Sequence, residues 1–153
     1  MDIEEQYDKL LRYCYMKLSD RTLAEDVTQE AFIRFLESRS YRDEGKEMAY
    51  LYTIAANLCT DCFRRRKEEP VEALAELPEP GDHLQNVVER ITVERALERL
   101  EPEEREVVVL RYNAELPVGD IGKILGLSRF AVHRRISSAM KKLRKEMEDH
   151  EKD

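Results

Sequence analysis

Cys59 and Cys62 have the Cys-x-x-Cys spacing of zinc-binding and redox-active thiol pairs. A zinc site usually needs two further ligands close by, and no His or other Cys neighbours this pair in the sequence. With Cys14 the chain has three cysteines, an odd number that argues for free thiols in a cytosolic chain. The sequence favours buried thiols, with a thiol sensor as the alternative.

Catalytic chemistry has little support. The three histidines, His83, His133 and His150, are scattered along the chain, and no Gly-rich phosphate loop or nucleophile motif is present. We predict that the protein is not an enzyme and that it needs no cofactor and no metal.

Phosphate binding has stronger support. Residues 121–145 contain eight Lys or Arg and no Asp or Glu, although the whole chain has a formal net charge of −7. A shorter basic segment, DCFRRRK, occupies residues 61–67. Binding to a polyanion depends on the potential within a Debye length, about 8–10 Å, so both segments can bind phosphate despite the acidic average. The alternative for each is a solvated helix face.

The longer basic segment has the pattern of a helix-turn-helix. Apolar residues recur at helical spacing on both sides of Gly126, which supplies the positive φ of a tight turn, and Ser128 is a good N-cap. Opposite the apolar face lie side chains suited to base edges and phosphates. We predict that these side chains bind duplex DNA: Ser128, Arg129, Phe130, Ala131, His133, Arg134, Ser137, Ser138, Lys141 and Lys145.

A second helix is predicted over KEMAYLYTIAANLCTDCFRRRK, with both cysteines on its apolar side. Its polar side combines an aromatic ring, amide and hydroxyl groups, and positive charges, which is the combination used to bind single-stranded nucleic acid. The residues of this polar stripe are Tyr50, Thr53, Asn57, Thr60, Arg64, Arg65 and Lys67.

The third helix is predicted over TLAEDVTQEAFIRFLES, with Thr22 as its cap and Leu36 on its wide apolar face. Ile33 stands on the polar side, among Asp26, Gln29, Glu30 and Glu37. A lone exposed isoleucine is ordinary, but on a rigid helix ringed by acids it also suits a protein-docking site.

These helices predict an all-α protein of two small domains. The Pro-containing, acidic segment 68–85 reads as a flexible linker between a domain at 1–67 and a helix-turn-helix domain at 86–153, which ends in a short acidic tail. No apolar run reaches the roughly 20 residues of a membrane span, and the start lacks a signal-peptide pattern. We expect a cytoplasmic protein.

The chain resembles the extracytoplasmic-function sigma factors, minimal bacterial initiation factors with only regions 2 and 4 of the sigma-70 family. LAEDVTQEAFIRFLE is similar to the region 2 helix that docks on polymerase, and YLYTIAANLCTDCFRRRK to the part that melts and reads the minus-ten element. The segment LERLEPEEREVVVLRYNAELPVGDIGKILGLSRFAVHRRISSAMKKLRK is similar to region 4, which reads the minus-thirty-five element. The resemblance covers nearly the whole chain.

The resemblance implies partners and roles. Asp26, Gln29, Glu30 and Ile33 would contact core RNA polymerase, through its beta and beta-prime subunits. The minus-ten set would contain Asn57, Asp61, Arg64 and Arg65, and the loop Arg39–Lys46, with Tyr41, would border a pocket for a flipped base. Promoter DNA and an anti-sigma factor are the other implied partners.

Two positions depart from the family pattern. Tyr50 stands where Trp is common, and Gly122 stands where a small Ala is usual, at a cost of roughly 1 kcal/mol of helix propensity. The alternative function is a helix-turn-helix regulator whose first domain dimerises or senses a ligand, which would explain residues 116–145 but not the polar stripe.

Overall fold

The computed structural model describes residues 2–38, 46–68 and 93–151, and the regular structure within these ranges is helical. The predicted all-helical class, with the helix-turn-helix in the second half, is confirmed. Most of the predicted linker (69–85) and of the predicted base-pocket loop, including Tyr41, lies outside the described residues. The domain boundaries stay predictions.

Three helices form the first half: α1 (Ile3–Leu18), α2 (Arg21–Glu37) and α3 (Glu47–Glu68). In the second half, residues 93–98 are helical and are followed by α4 (Pro102–Val108), a π-helical turn (Val109–Asn113), α5 (Val118–Leu125) and α6 (Arg129–Glu151). Within the described ranges, no helix combines the length and the apolar composition needed to cross a membrane.

Aspartates cap the first two helices. The side chain of Asp2 accepts a hydrogen bond from the Glu5 backbone N–H, and Asp20 does the same for Leu23. Thr22 was the predicted cap of α2, and that prediction is wrong because the helix begins at Arg21, two residues earlier than a Thr22 cap would place it, with Asp20 as the cap. Both residues are N-cap formers, so the pattern left the boundary open by two positions.

The first half has a core built from aromatic, aliphatic and thiol side chains. Tyr13 of α1 meets Tyr52 of α3 edge to face, with ring centroids 5.4 Å apart. Tyr7, near the start of α1, stacks on Phe32, near the end of α2, at 5.8 Å, so α1 and α2 run antiparallel. The core therefore uses one face of each helix, and the other faces are available for binding.

The helix-turn-helix forms as predicted. Gly126 ends α5 with φ 69°, and the N–H of Leu127 donates to the Gly122 carbonyl at 2.8 Å. Ser128 then caps α6 by accepting from the Ala131 N–H at 3.1 Å. A Cβ on Gly122 would lie 2.5 Å from the Leu127 carbonyl oxygen. Glycine at position 122 thus lets the turn after α5 pack closely against the helix. This close packing offsets the low helix propensity of glycine.

The two halves pack against each other. α3 contacts α5, and α1 contacts the π-helical turn. One buried apolar cluster contains Leu10 and Tyr13 of the first half together with Val107 and Leu110 of the second. The sequence did not reveal this arrangement, because helical periodicity identifies a buried face without identifying what covers it.

Replacing Glu115 tests the backbone at the end of the π-helical turn. Glu115 has φ 58°, a left-handed conformation that costs a side-chain-bearing residue about 1 kcal/mol or more. We expect Glu115→Gly to raise the free energy of unfolding by about 0.5–1 kcal/mol, after the entropy that glycine adds to the unfolded chain. Denaturant unfolding measures the change.

Glu115→Ala is the matched control. It also removes the ion pair of Glu115 with Lys9, at 3.6 Å, but keeps a Cβ and therefore keeps the strain. Equal stability of the two variants would show that the left-handed conformation at this position carries no cost.

Candidate nucleic-acid and protein interfaces

The DNA-reading face predicted on α6 is largely exposed. Arg134, His133 and Lys141 are exposed, and Phe130 keeps 80% of its surface open to solvent, which is unusual for a large apolar side chain. Their neighbours on this face are also exposed, except for half-buried Ala131: Ser128, Arg129, Ser137, Ser138 and Lys145. One helix thus presents cationic, aromatic and hydroxyl groups together.

Ser138 has a partner inside the protein. Its hydroxyl donates to Glu104 Oε2 of α4 at 2.6 Å, while Lys142 Nζ donates to Glu104 Oε1 at 2.7 Å. These hydrogen bonds, that of Lys142 first, lower the pKa of Glu104, which stays ionised at neutral pH. The buried carboxylate fixes α6 relative to α4 and thereby orients the DNA-reading face. Sequence reasoning missed Glu104 because it reads as an ordinary acid in a helix's first turn.

Arg129 lies across the preceding helix. A Cβ added to Gly119 of α5 would be 3.0 Å from Arg129 Nη2 and 3.2 Å from Nε. The guanidinium therefore rests at a place where glycine leaves room for it. This contact positions the Arg129 guanidinium beside the N-terminal end of α6, where the helix dipole favours anions.

The polar stripe of α3 is exposed along most of its length. The side chains of Thr53, Asn57, Thr60, Asp61, Arg64 and Arg65 are exposed. The two threonine hydroxyls donate to backbone carbonyls four residues earlier, to Ala49 at 2.7 Å and Ala56 at 3.0 Å, and so present their oxygens as acceptors. Lys67 lies in the last turn of α3.

Tyr50, predicted to stack on a base, is half-buried. Its ring lies 5.9 Å from that of Phe35, and its hydroxyl donates to Ser38 Oγ at 2.9 Å. These contacts fix the ring at the junction between the end of α2 and the start of α3. A ring held in this way loses little conformational entropy when it binds a ligand.

The three consecutive arginines near the end of α3 differ in their contacts. Arg66 donates to the Leu18 carbonyl at 3.0 Å and to Asp20 Oδ2 at 3.3 Å, and so ties α3 to the α1–α2 turn. Arg64 and Arg65 are exposed. Arg66 is thus a structural residue, consistent with its absence from the predicted nucleic-acid set.

The polar side of α2 carries a small apolar patch. Ile33 is 49% exposed, as predicted for a docking residue, and Leu36 is 66% exposed. The placement of Leu36 on the apolar face was wrong: it lies in the last turn of α2, beyond the Tyr7–Phe32 contact, where α1 is near its own start. Around the patch lie exposed Asp26 and Gln29, and Glu30, which accepts from Arg34 Nε at 2.9 Å.

The buried thiols come from two helices and not only from the Cys-x-x-Cys motif. Cys59 of α3 and Cys14 of α1 are fully buried in the same core, while Cys62 is half-buried. The hydrogen bond with Cys14 and burial raise the pKa of Cys59, and burial raises that of Cys62. Hydrogen bonds with Cys59 and Thr28 lower the pKa of Cys14, but it has no exposed surface. Because thiolates react and buried thiols do not, the geometry favours packing over redox sensing.

Two family models match different parts of the chain. Residues 3–69 match Sigma-70 region 2, and residues 96–145 match Sigma-70, region 4. The α2 patch and the α3 stripe lie in the first match, and the DNA-reading face of α6 lies in the second.

Curated relatives cover almost the full chain. This chain is 31% identical to the ECF RNA polymerase sigma factor SigW of Bacillus subtilis, over 97% of this chain and 88% of SigW. It is also 31% identical to SigE of Mycolicibacterium smegmatis, of which it spans 61%.

Solved structures share the fold. The sigma factor RpoE, in complex with the anti-sigma factor NepR from Bartonella quintana, matches with a TM-score of 0.73 at 21% identity, over 93% of this chain and 91% of that one. CnrH, in complex with the cytosolic domain of CnrY, matches with a TM-score of 0.63 at 22% identity, over 92% and 81%.

Two substitutions on α6 separate base reading from phosphate binding. We expect Arg134→Ala to weaken binding to a preferred duplex by about 1–3 kcal/mol and to relax the base preference at one position. Lys141→Ala should weaken binding to all DNA sequences alike, and it should reduce the dependence of the affinity on salt concentration by about one phosphate contact. Titrations of specific and scrambled duplexes at several salt concentrations measure both effects. Equal, sequence-independent losses would show that Arg134 binds only phosphate.

Proposed function

Because the chain belongs to the extracytoplasmic-function sigma factors of the sigma-70 family, we propose a separate role for each of its three exposed surfaces. As an RNA polymerase sigma factor it directs core polymerase to promoters. The assignment of roles rests on the observation that the two matched regions bear three exposed surfaces, each chemically suited to one step. The family match leaves no support for the alternative of a dimerising regulator.

The α2 patch binds core polymerase. Ile33 and Leu36 supply exposed apolar area, and Asp26, Gln29 and Glu30 supply a polar rim, which is the usual composition of a specific protein interface. The helix is rigid because Val27, Ala31 and Phe32 on its other side are buried. Binding here requires no rearrangement of the first half of the chain.

The α6 face reads the minus-thirty-five element in the major groove. Arg134 contacts a guanine edge, and Phe130 with Ala131 contacts thymine methyl groups, because these pairings match the groove's pattern of acceptors and methyls. Lys141 and Arg129 bind the flanking phosphates. Ser138 supports the reading indirectly, through Glu104.

The α3 stripe, with Tyr50 at one end and Arg64 and Arg65 at the other, binds the melted minus-ten strand. Flipping a base out of a duplex costs a few kcal/mol, and stacking and hydrogen bonds to the extruded base offset that cost. Asn57, exposed at the middle of the stripe, is placed to contact a base edge. Neither DNA surface performs covalent chemistry; the protein assists initiation by binding.

The charge distribution limits DNA binding by the free protein. Acidic stretches surround the two basic segments, so the long-range field repels DNA until polymerase holds the basic surfaces close to it. The protein acts in the cytoplasm, where the polymerase is, and on the same family ground an anti-sigma factor is a further partner.

A pull-down of purified core polymerase tests the α2 surface. We expect Ile33→Asp to weaken capture of the beta and beta-prime subunits at least tenfold, because a charge is then buried in an apolar contact. Val93→Asp is the matched control, since Val93 is also an exposed aliphatic residue but lies in the other half. Equal capture by both variants would remove α2 from the interface.

Substitution of Asn57 tests the α3 stripe. Asn57→Ala should leave closed-complex formation nearly unchanged and reduce promoter opening about tenfold, because the lost contact forms only with an unpaired base. Permanganate reactivity of unpaired thymines measures opening, and band shifts measure closed complexes. An equal loss of closed-complex formation and of promoter opening would mean that Asn57 contacts duplex DNA or supports the fold.

A further inference from the structure

The hydroxyl proton of Ser138 is engaged inside the protein. Ser138 Oγ lies 2.6 Å from Glu104 Oε2 of α4 and donates to that oxygen. Two further donors surround the carboxylate, because Lys142 Nζ donates to Oε1 at 2.7 Å and the Glu101 backbone N–H donates to the same oxygen at 3.2 Å. An ionised carboxylate has only acceptor sites, so the Ser138 hydroxyl can make this contact only as the donor.

Glu104 keeps this arrangement at neutral pH. Its side chain is nearly buried, and the hydrogen bonds from Lys142 and Ser138 lower the pKa of its carboxyl group. A hydrogen bond to a charged group is roughly twice as strong as one between neutral groups. The Ser138 hydroxyl therefore stays turned toward Glu104, and the lone pairs on its oxygen remain for a second partner.

Ser138 also belongs to the DNA-reading face of α6. Its side chain is exposed, and helix geometry places it about 40° around α6 from Arg134 and about 6 Å further along the axis. In a helix that lies along the major groove, this rise corresponds to about two base-pair steps. Ser138 therefore faces a different base pair from the one proposed for Arg134.

An oxygen that can only accept selects among base edges. In the major groove adenine N6 and cytosine N4 carry amino groups that donate, whereas guanine O6 and thymine O4 are acceptors. Phosphate oxygens are acceptors as well, so they offer no proton to this oxygen. An ordinary serine binds either kind of group because its hydroxyl rotates. Glu104 removes that freedom from Ser138.

The adjacent Ser137 provides an internal comparison. It is also exposed on the α6 face, but within the described ranges its hydroxyl makes no hydrogen bond to another residue. That hydroxyl can turn to donate or to accept. Two neighbouring serines of one helix thus differ in what they can bind.

We propose that Ser138 is a specificity-determining residue that reads an exocyclic amino group, on adenine or on cytosine, because Glu104 makes its hydroxyl an obligate acceptor. Guanine or thymine in the same place brings two acceptor oxygens together and is disfavoured. Glu104 is a positioning residue, which acts through Ser138. This inference rests on the proposed role of the α6 face, to which it adds a direct contact of Ser138 with a base.

Competition for a promoter library tests the proposal. The full-length protein in complex with core polymerase selects among fragments in which each base pair of the minus-thirty-five element carries all four bases in turn. Sequencing of bound and unbound DNA gives the relative affinities. We expect one base pair at which adenine or cytosine, on one strand, is favoured about tenfold over guanine and thymine.

Substitutions of Ser138 identify the residue that reads this base pair. Ser138→Ala should abolish the preference there and at no other base pair, because the amino-bearing base then loses its acceptor. Ser138→Thr keeps a hydroxyl that can donate to Glu104, so it should keep the preference. Ser137→Ala removes the neighbouring hydroxyl and should also keep it.

Substitution of Glu104 tests the cause of the preference. Glu104→Gln offers Ser138 an amide that both donates and accepts, so the hydroxyl can turn. Guanine or thymine should then bind about as well as the amino-bearing base, whereas in Ser138→Ala it is the amino-bearing base that binds less well. Circular dichroism checks that each variant retains its helices, and the Ser138 variants decide the question if Glu104→Gln unfolds.

The outcomes separate this inference from the proposed function. Base preferences that all persist in Ser138→Ala would overturn the inference. A loss spread evenly over all sequences would also overturn it, because Ser138 would then act only through α6 packing or at a phosphate. Undiminished discrimination in folded Glu104→Gln would do the same. If the wild-type complex shows no base preference anywhere in the minus-thirty-five element, the proposed role of the α6 face fails instead.

Discussion

The hydrogen bond from Tyr13 to Glu106 joins the two halves of the molecule at the edge of their common core. Burying a tyrosine hydroxyl in a helical core is favourable when the hydroxyl has a hydrogen-bonding partner, and for Tyr13 of the first half that partner is a carboxylate from the second half. Lys17 then balances the carboxylate's charge. The apolar cluster beneath these groups continues from Leu10 and Tyr52 to Val107 and Leu110, so the two halves share one interior.

This shared interior explains where the binding surfaces lie. Each long helix buries one face, and the residues proposed to contact other molecules occupy the opposite face at helical spacing. Supporting residues hold those faces in place: Glu104 orients α6, Arg66 anchors the end of α3, and the Phe35–Tyr50 contact fixes the start of α3. The proposed binding residues are therefore mostly exposed but held in place, which lowers the entropic cost of binding.

The sequence predicted the features that depend on local pattern. Gly126 and Ser128 mark the turn of the helix-turn-helix because one supplies a positive φ and the other caps a helix. The position of Ile33 among polar residues predicted that it is exposed, as the structure has it. Features that depend on distant contacts were beyond it. No pattern shows that Cys59 pairs with Cys14, that Ser138 binds Glu104, or that Leu36 lies where α1 no longer covers it. The Thr22 cap failed because two good caps stand two residues apart.

We infer that one chain positions polymerase by binding two separate promoter elements with two rigid surfaces. The most direct measurement is transcription by purified core polymerase and this protein from a cognate promoter whose spacer is varied. Adding five base pairs rotates one element by about half a helical turn relative to the other, so we predict that transcript yield collapses and that a full-turn insertion reduces it less. Equal yield at every spacing, or no transcripts at any, would contradict the account.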